Sequence, residues 1–277
     1  MSDQPLELHP DYRALLDENA LLREELAHLL TEEHDLVHLV KPNLLALYQK
    51  KIGAWELRGL HAQVAAARAR RRLEMAQAAV NQGRKPDLTE IEGHLELEFL
   101  AWQLKIQEAA QQLADAARRL EHLLPDVEDR ELKKLYYDLV KKLHPDVNPD
   151  VSEDHRRLWQ RVQAAYEHSD MQELRALTLL ADQSGPIAPP TATLDTLRRD
   201  RATLEVQTAA LLKRIEQIET QPPFTLRTQL ADEAWLAQRR QEIEARITGF
   251  DTQCAALETH LQTLLAPTDD GKIFGSN

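Results

Sequence analysis

From Leu194 onward the chain carries two unbroken heptad runs. Leu194, Leu197, Arg201, Leu204, Thr208, Leu211, Ile215 and Ile218 alternate spacings of three and four. Leu236, Arg240, Ile243, Ile247, Phe250, Cys254, Leu257, Leu261 and Leu264 do the same. A seam of this period presents one apolar stripe to a partner helix. Gln221-Pro222-Pro223-Phe224 lies between the runs and forces a turn. The expected result over 192–266 is an antiparallel coiled-coil hairpin, about 45 Å long at the helical rise per residue. Arg201, Thr208 and Arg240 at seam positions can specify register, and Cys254 reads as a small apolar filler.

The N-terminal part follows the same logic. A helix is expected from about Asp11 to Val40, with Leu15, Leu22, Leu26, Leu29, Leu36 and Leu39 as its apolar stripe. Lys41-Pro42 is expected to break it. A second helix runs from Asn43 to Val80 and stops near Asn81-Gln82-Gly83, with Pro86 beyond. Thr89 and Glu92 form a capping-box signature that opens a third helix, ending at Leu124 before Pro125-Asp126. Short breaks between helices of similar length predict a helical bundle or hairpin over 1–125. Residues 126–182 form a set of shorter helices. The Pro-rich stretch 183–191 is a linker, and 267–277 is expected to be a disordered tail. The fold class is all-α: only 8 of 277 residues are Gly, and no period-2 run or hairpin turn stands out.

Charge and cysteine content narrow the function. A net charge of -12 argues against a general nucleic-acid binder, which needs a basic face for phosphates. The strongest basic cluster, Arg68, Arg70, Arg71 and Arg72, is expected to pair with acidic neighbours. One cysteine cannot form an intramolecular disulfide, and no secretory or membrane-spanning run is apparent, so a cytoplasmic location is expected. His34 and His38 stand at i and i+4, a spacing that can bind zinc. No third ligand is evident, so they read as solvated helix histidines, and no metal or cofactor is expected.

The tripeptide His144-Pro145-Asp146 is the best handle on function. Before it, Leu132, Leu135, Tyr136, Leu139 and Leu143 make an apolar helix face, with Lys133, Lys134, Lys141 and Lys142 off that face. Pro145 disfavours the α conformation at His144, so the helix ends there and the loop presents imidazole and carboxylate. Ser152 caps the next helix, which buries Leu158, Trp159, Val162, Ala165 and Tyr166. Ser169 with Gln172 suggests a second capping box for a last short helix.

The segment from Glu131 to about Leu180 resembles a J-domain, the module of Hsp40/DnaJ-like co-chaperones. Leu132, Tyr136, Leu139, Trp159 and Val162 fall at that family's core positions, and Ala165-Tyr166-Glu167 matches directly. The chain departs from fuller members: it has no Gly/Phe-rich linker, no zinc-binding cysteine repeats and no usual first helix, for which the end of the helix reaching Leu124 can substitute. The resemblance implies a co-chaperone that is not itself an enzyme. Lys133, Lys134, Lys141 and Lys142 would dock on an acidic face of a DnaK-type chaperone, and His144, Pro145 and Asp146 would trigger its ATP hydrolysis. Physically, Asp146 can accept charge-assisted bonds from a partner arginine. The helical arms would recruit a client or partner, self-associate or act as spacers. The alternative is a structural scaffold whose J-domain fold no longer recruits a chaperone.

Overall fold

In the computed structural model, which describes residues 10–149, 152–183 and 193–266, the chain is helical from Pro10 to Asn81 without a break. This run comprises α1 (Pro10–Asp35), a π-turn at Leu36–Val40, α2 (Lys41–Tyr48), a second π-turn at Gln49–Gly53 and α3 (Ala54–Asn81). The expected break at Lys41-Pro42 does not occur. A proline ring clashes with the carbonyl four residues before it, here that of His38, and a widened turn displaces that carbonyl. The Lys41 N–H bonds back to Leu36 O, as a π-turn requires.

The remaining helices are α4 (Leu88–Glu98), α5 (Leu100–Glu121), α6 (Asp126–Leu143), α7 (Glu153–Glu167), α8 (Met171–Gln183), α9 (Leu194–Glu219), α10 (Arg227–Ala231) and α11 (Glu233–Leu265). No strand occurs among the described residues, and no helix is long and apolar enough to cross a membrane. Two expected caps are moved. Asp87, and not Thr89, caps α4 by accepting from the Thr89 and Glu90 N–H groups. At α8 the Asp170 carboxylate accepts from Glu173 N–H at 3.0 Å. Ser169 instead takes a left-handed φ of 55° and closes α7. The stretch 184–192 and the tail 267–277, read as linker and tail, lie outside the described residues.

The chain forms two compact units, each built from two stretches of sequence: 1–44 with 123–225, and 45–122 with 226–277. The expected N-terminal bundle and C-terminal hairpin are therefore corrected as domains. In the first unit α9 packs along α1. Asn19 Nδ2 donates to Leu197 O at 3.0 Å, Arg201 pairs with Glu18 at 2.9 Å and Arg214 pairs with Glu33 at 2.5 Å. These contacts advance in the same direction along both helices, so the pair is parallel. Leu15, Leu26 and Leu29 of α1 and Leu197, Leu204, Leu211 and Ile215 of α9 are buried.

In the second unit α11 packs along α3, also parallel: Lys51 reaches Glu233 at 3.2 Å and Arg58 reaches Glu244 at 3.0 Å. Arg240 is the polar seam residue that explains the second π-turn. Its Nε and Nη2 both donate to Lys51 O at 3.1 Å, and its guanidinium lies 4.7 Å from the Trp55 ring centroid. A π-turn frees carbonyls from the helical ladder, and here a charged donor takes one up. Further along, Ala76, Ile91, Leu95, Phe99 and Leu261 form a buried cluster between α3, α4 and α11. Each heptad seam thus has an N-terminal helix as partner. A heptad says that a helix needs a partner and is silent on which one.

Candidate functional site: the loop between α6 and α7

Helix α6 begins with Asp126, Glu128 and Asp129 in its first turn and ends with Lys141 and Lys142 in its last, both favourable to the helix dipole. Its buried face consists of Leu132, Tyr136, Leu139, Val140 and Leu143. Opposite it, α7 buries Trp159, Val162, Ala165 and Tyr166, and α8 closes the module with Leu174 and Leu177. Ser152 caps α7 by accepting from His155 N–H at 3.3 Å.

His144 ends α6 with extended backbone, φ −67° and ψ 128°, as a residue before proline must. Two turn bonds, from Val147 N–H at 3.2 Å and Asn148 N–H at 2.9 Å, reach back to its carbonyl. Asn148 also ties the loop to α6 by donating to Lys141 O at 2.7 Å. Val147 is buried beneath the loop.

The three loop residues are not presented alike. Asp146 is exposed, whereas His144 is half-buried, its ring edge-on to Trp159 at 4.8 Å between centroids. Burial holds the His144 imidazole below its ordinary pKa, against an upward pull from Asp146. Its Nδ1 accepts from the Asp146 N–H at 3.0 Å. An imidazole that accepts at Nδ1 while neutral carries its proton on Nε2, so His144 offers a donor to a partner. The expectation of an open imidazole is corrected to a ring clamped by Trp159.

Three of the four lysines that the resemblance assigns to docking are engaged within the chain. Lys141 pairs with Glu24 of α1 at 3.0 Å, which with Tyr137 lowers the Glu24 pKa. Lys133 reaches Asp35 of α1 at 3.2 Å and Asp129 at 3.0 Å. Lys142 pairs with Asp182 of α8. Lys134 is exposed. Helix α1 runs antiparallel along α6, so two of its carboxylates meet the basic face. Within this unit α1 packs on α6 beside α7 and α8, the place for which the end of the helix reaching Leu124 is the expected stand-in.

On the other side of α1 a chain of rings links the helix to the loop. His38 stacks on His34 at 4.1 Å, His34 on Tyr136 at 4.9 Å, and Tyr136 on Tyr166 at 4.0 Å. Tyr136 also lies 5.7 Å from Trp159, the ring that holds His144. Burial, followed by the charges of His38 and His144, lowers His34 to a pKa of about 4. The Tyr166 hydroxyl donates to Asp35 at 3.1 Å. The two histidines are therefore not the solvated pair expected from their spacing. Together with Glu167 and His144 they line a polar groove of about 370 Å³. Glu167 is the residue that spacing could not associate with them, because it comes from α7.

Three of the four arginines of the cluster on α3 pair with acids of the same unit. Arg68 and Arg72 both reach Glu92, at 2.7 and 2.5 Å, and Arg71 reaches Glu98 at 3.1 Å. Cys254 is partly buried beside Glu258 at 3.8 Å, and burial raises its thiol pKa.

Residues 122–176 match the family model of the DnaJ domain. This match spans α6, the loop, α7 and the start of α8, so the chain carries a J-domain there. A J-domain implies a chaperone of the Hsp70 type as partner. No curated protein and no solved structure matches the chain.

Proposed function

We propose that this protein is a co-chaperone that binds a DnaK-type chaperone through its J-domain and stimulates ATP hydrolysis there. The observation that carries the reading is His144-Pro145-Asp146 at the end of α6, inside the matched segment, with Asp146 exposed and His144 held in one tautomer. All bond-breaking chemistry then belongs to the chaperone, and the cytoplasm is where the two meet. The protein supplies a carboxylate for a partner cation, an Nε2–H donor and whatever part of the α6 lysine face the partner can reach. The long helices beside the J-domain serve client or partner recruitment.

One observation favours a second reading. Lys133, Lys141 and Lys142 already have carboxylate partners in the chain, as suits a scaffold whose J-domain no longer recruits a chaperone. Single-turnover ATP hydrolysis by the cognate DnaK-type chaperone separates the two. The co-chaperone reading expects faster hydrolysis with the intact protein and none of that gain with His144→Gln. No gain with the intact protein supports the scaffold, and a gain untouched by the substitution removes the loop from the mechanism.

A further inference from the structure

We infer that His34, His38 and Glu167 form a binding site for a divalent cation of the zinc class, clasping α1 to the end of α7. One ring nitrogen of each histidine and one Glu167 carboxylate oxygen all lie within 4.8 Å of one another. Tetrahedral zinc with donors at about 2.1 Å sets neighbouring donors about 3.4 Å apart. His38 Nδ1 and Glu167 Oε1 are already 3.5 Å apart, so this edge of the tetrahedron is in place. The remaining edges close when the His38 ring turns out of its stack on His34, because a nitrogen lone pair lies in the plane of its ring.

A second observation points to a ligand. His34 Nε2 is buried and has no hydrogen-bond partner among the described residues. A buried polar atom left unpaired carries an uncompensated desolvation cost, and a metal bond at that nitrogen would offset it. The His34 ring is held on its other partner, Tyr136, at 4.9 Å, so little of its side-chain freedom is left to lose on binding. Two imidazoles and a carboxylate favour zinc over magnesium or calcium, which prefer all-oxygen shells. Three protein ligands also leave one coordination position open. The groove that holds the triad is lined by His144 and Asp146 as well, so a metal there sits beside the J-domain loop.

The test uses the full chain without a histidine tag, titrated with zinc chloride alone by calorimetry, with thermal unfolding followed in parallel. One equivalent is expected to bind and to raise the unfolding midpoint, since a ligand that binds only the folded state stabilises it. His38→Gln and Glu167→Gln are each expected to weaken binding at least tenfold and to abolish the rise in midpoint. His34→Phe keeps a ring in the stack and is expected to do the same. Should His34→Phe fail to fold, the other two variants decide, since both alter less buried side chains. No binding by the intact chain overturns the site, as does zinc binding that survives all three substitutions, which would place the metal on others of the 11 histidines. The outcome is read without a chaperone and so stands apart from the co-chaperone reading.

Discussion

Glu24 on α1 holds the ammonium of Lys141 on α6 at 3.0 Å, so a lysine suited to dock a chaperone is bound to a carboxylate of its own chain. The same carboxylate accepts from the Tyr137 hydroxyl at 3.3 Å. An acidic helix thus lies on a basic one and covers part of the face through which the proposed docking would take place.

Releasing that contact has a measurable consequence. Glu24→Gln removes the charge while keeping the shape of the side chain. The concentration of protein that gives half-maximal stimulation of the chaperone is expected to fall by about two- to fivefold, the range of an exposed ion pair. An unchanged or higher value means that Lys141 does not dock.

Trp159 determines where the His144 ring sits. Trp159→Ala is expected to lower stability by about 3–5 kcal/mol in urea unfolding. It should also abolish stimulation under conditions where the variant remains folded. Trp159→Phe retains an aromatic wall and is expected to keep most of the stimulation. Equal activity of the two folded variants would show that the clamp is dispensable.

Asp35 joins two partners, the Lys133 ammonium and the Tyr166 hydroxyl. Asp35→Ala leaves that hydroxyl without its acceptor. A loss of about 1–3 kcal/mol is expected, the cost of a partly buried polar group left unpaired. The urea midpoint measures it, and a shift below a few tenths of a kcal/mol contradicts the bond.

Arg240 fills a carbonyl that the second π-turn opens. Arg240→Met keeps the apolar stem and removes both donors. The expected cost is again about 1–3 kcal/mol, while Arg240→Lys should recover part of it. Amide exchange around Gln49–Gly53 should quicken in the methionine variant, and unchanged protection would count against the role.

Much of the helical content was legible in the sequence, for identifiable reasons. Few glycines, clear heptads and the Pro125, Pro145 and Ser152 boundaries place α6, α7, α9 and α11 to within a few residues. The partners of these helices were not legible. Nothing in the seam of α9 distinguishes α11 from α1, because both offer leucines at the same period. Pro42 misled for a local reason: the penalty of an interior proline holds for an α-turn and is relieved by a π-turn, which leaves no mark of its own in the sequence. The same holds at the site. His34 and His38 were visible as a pair, but Glu167 joins them only through the packing of α7 against α1. The lysines of α6 were visible as a basic face, and the carboxylates of α1 that cover part of it were not.

The interleaving of the two units also dictates an order of events during synthesis. Helix α1 leaves the ribosome with Leu15, Leu26 and Leu29 uncovered, and its partner α9 follows only after α6, α7 and α8 have been made. Helix α3 waits longer still, until α11 emerges at the end of the described chain. Neither unit can therefore close before its second segment has been made, and apolar stripes stay bare until then, a period when such surface invites aggregation. A chain that ends before Leu194 lacks the second helix of both parallel pairs, so a premature stop removes a partner from each unit at once.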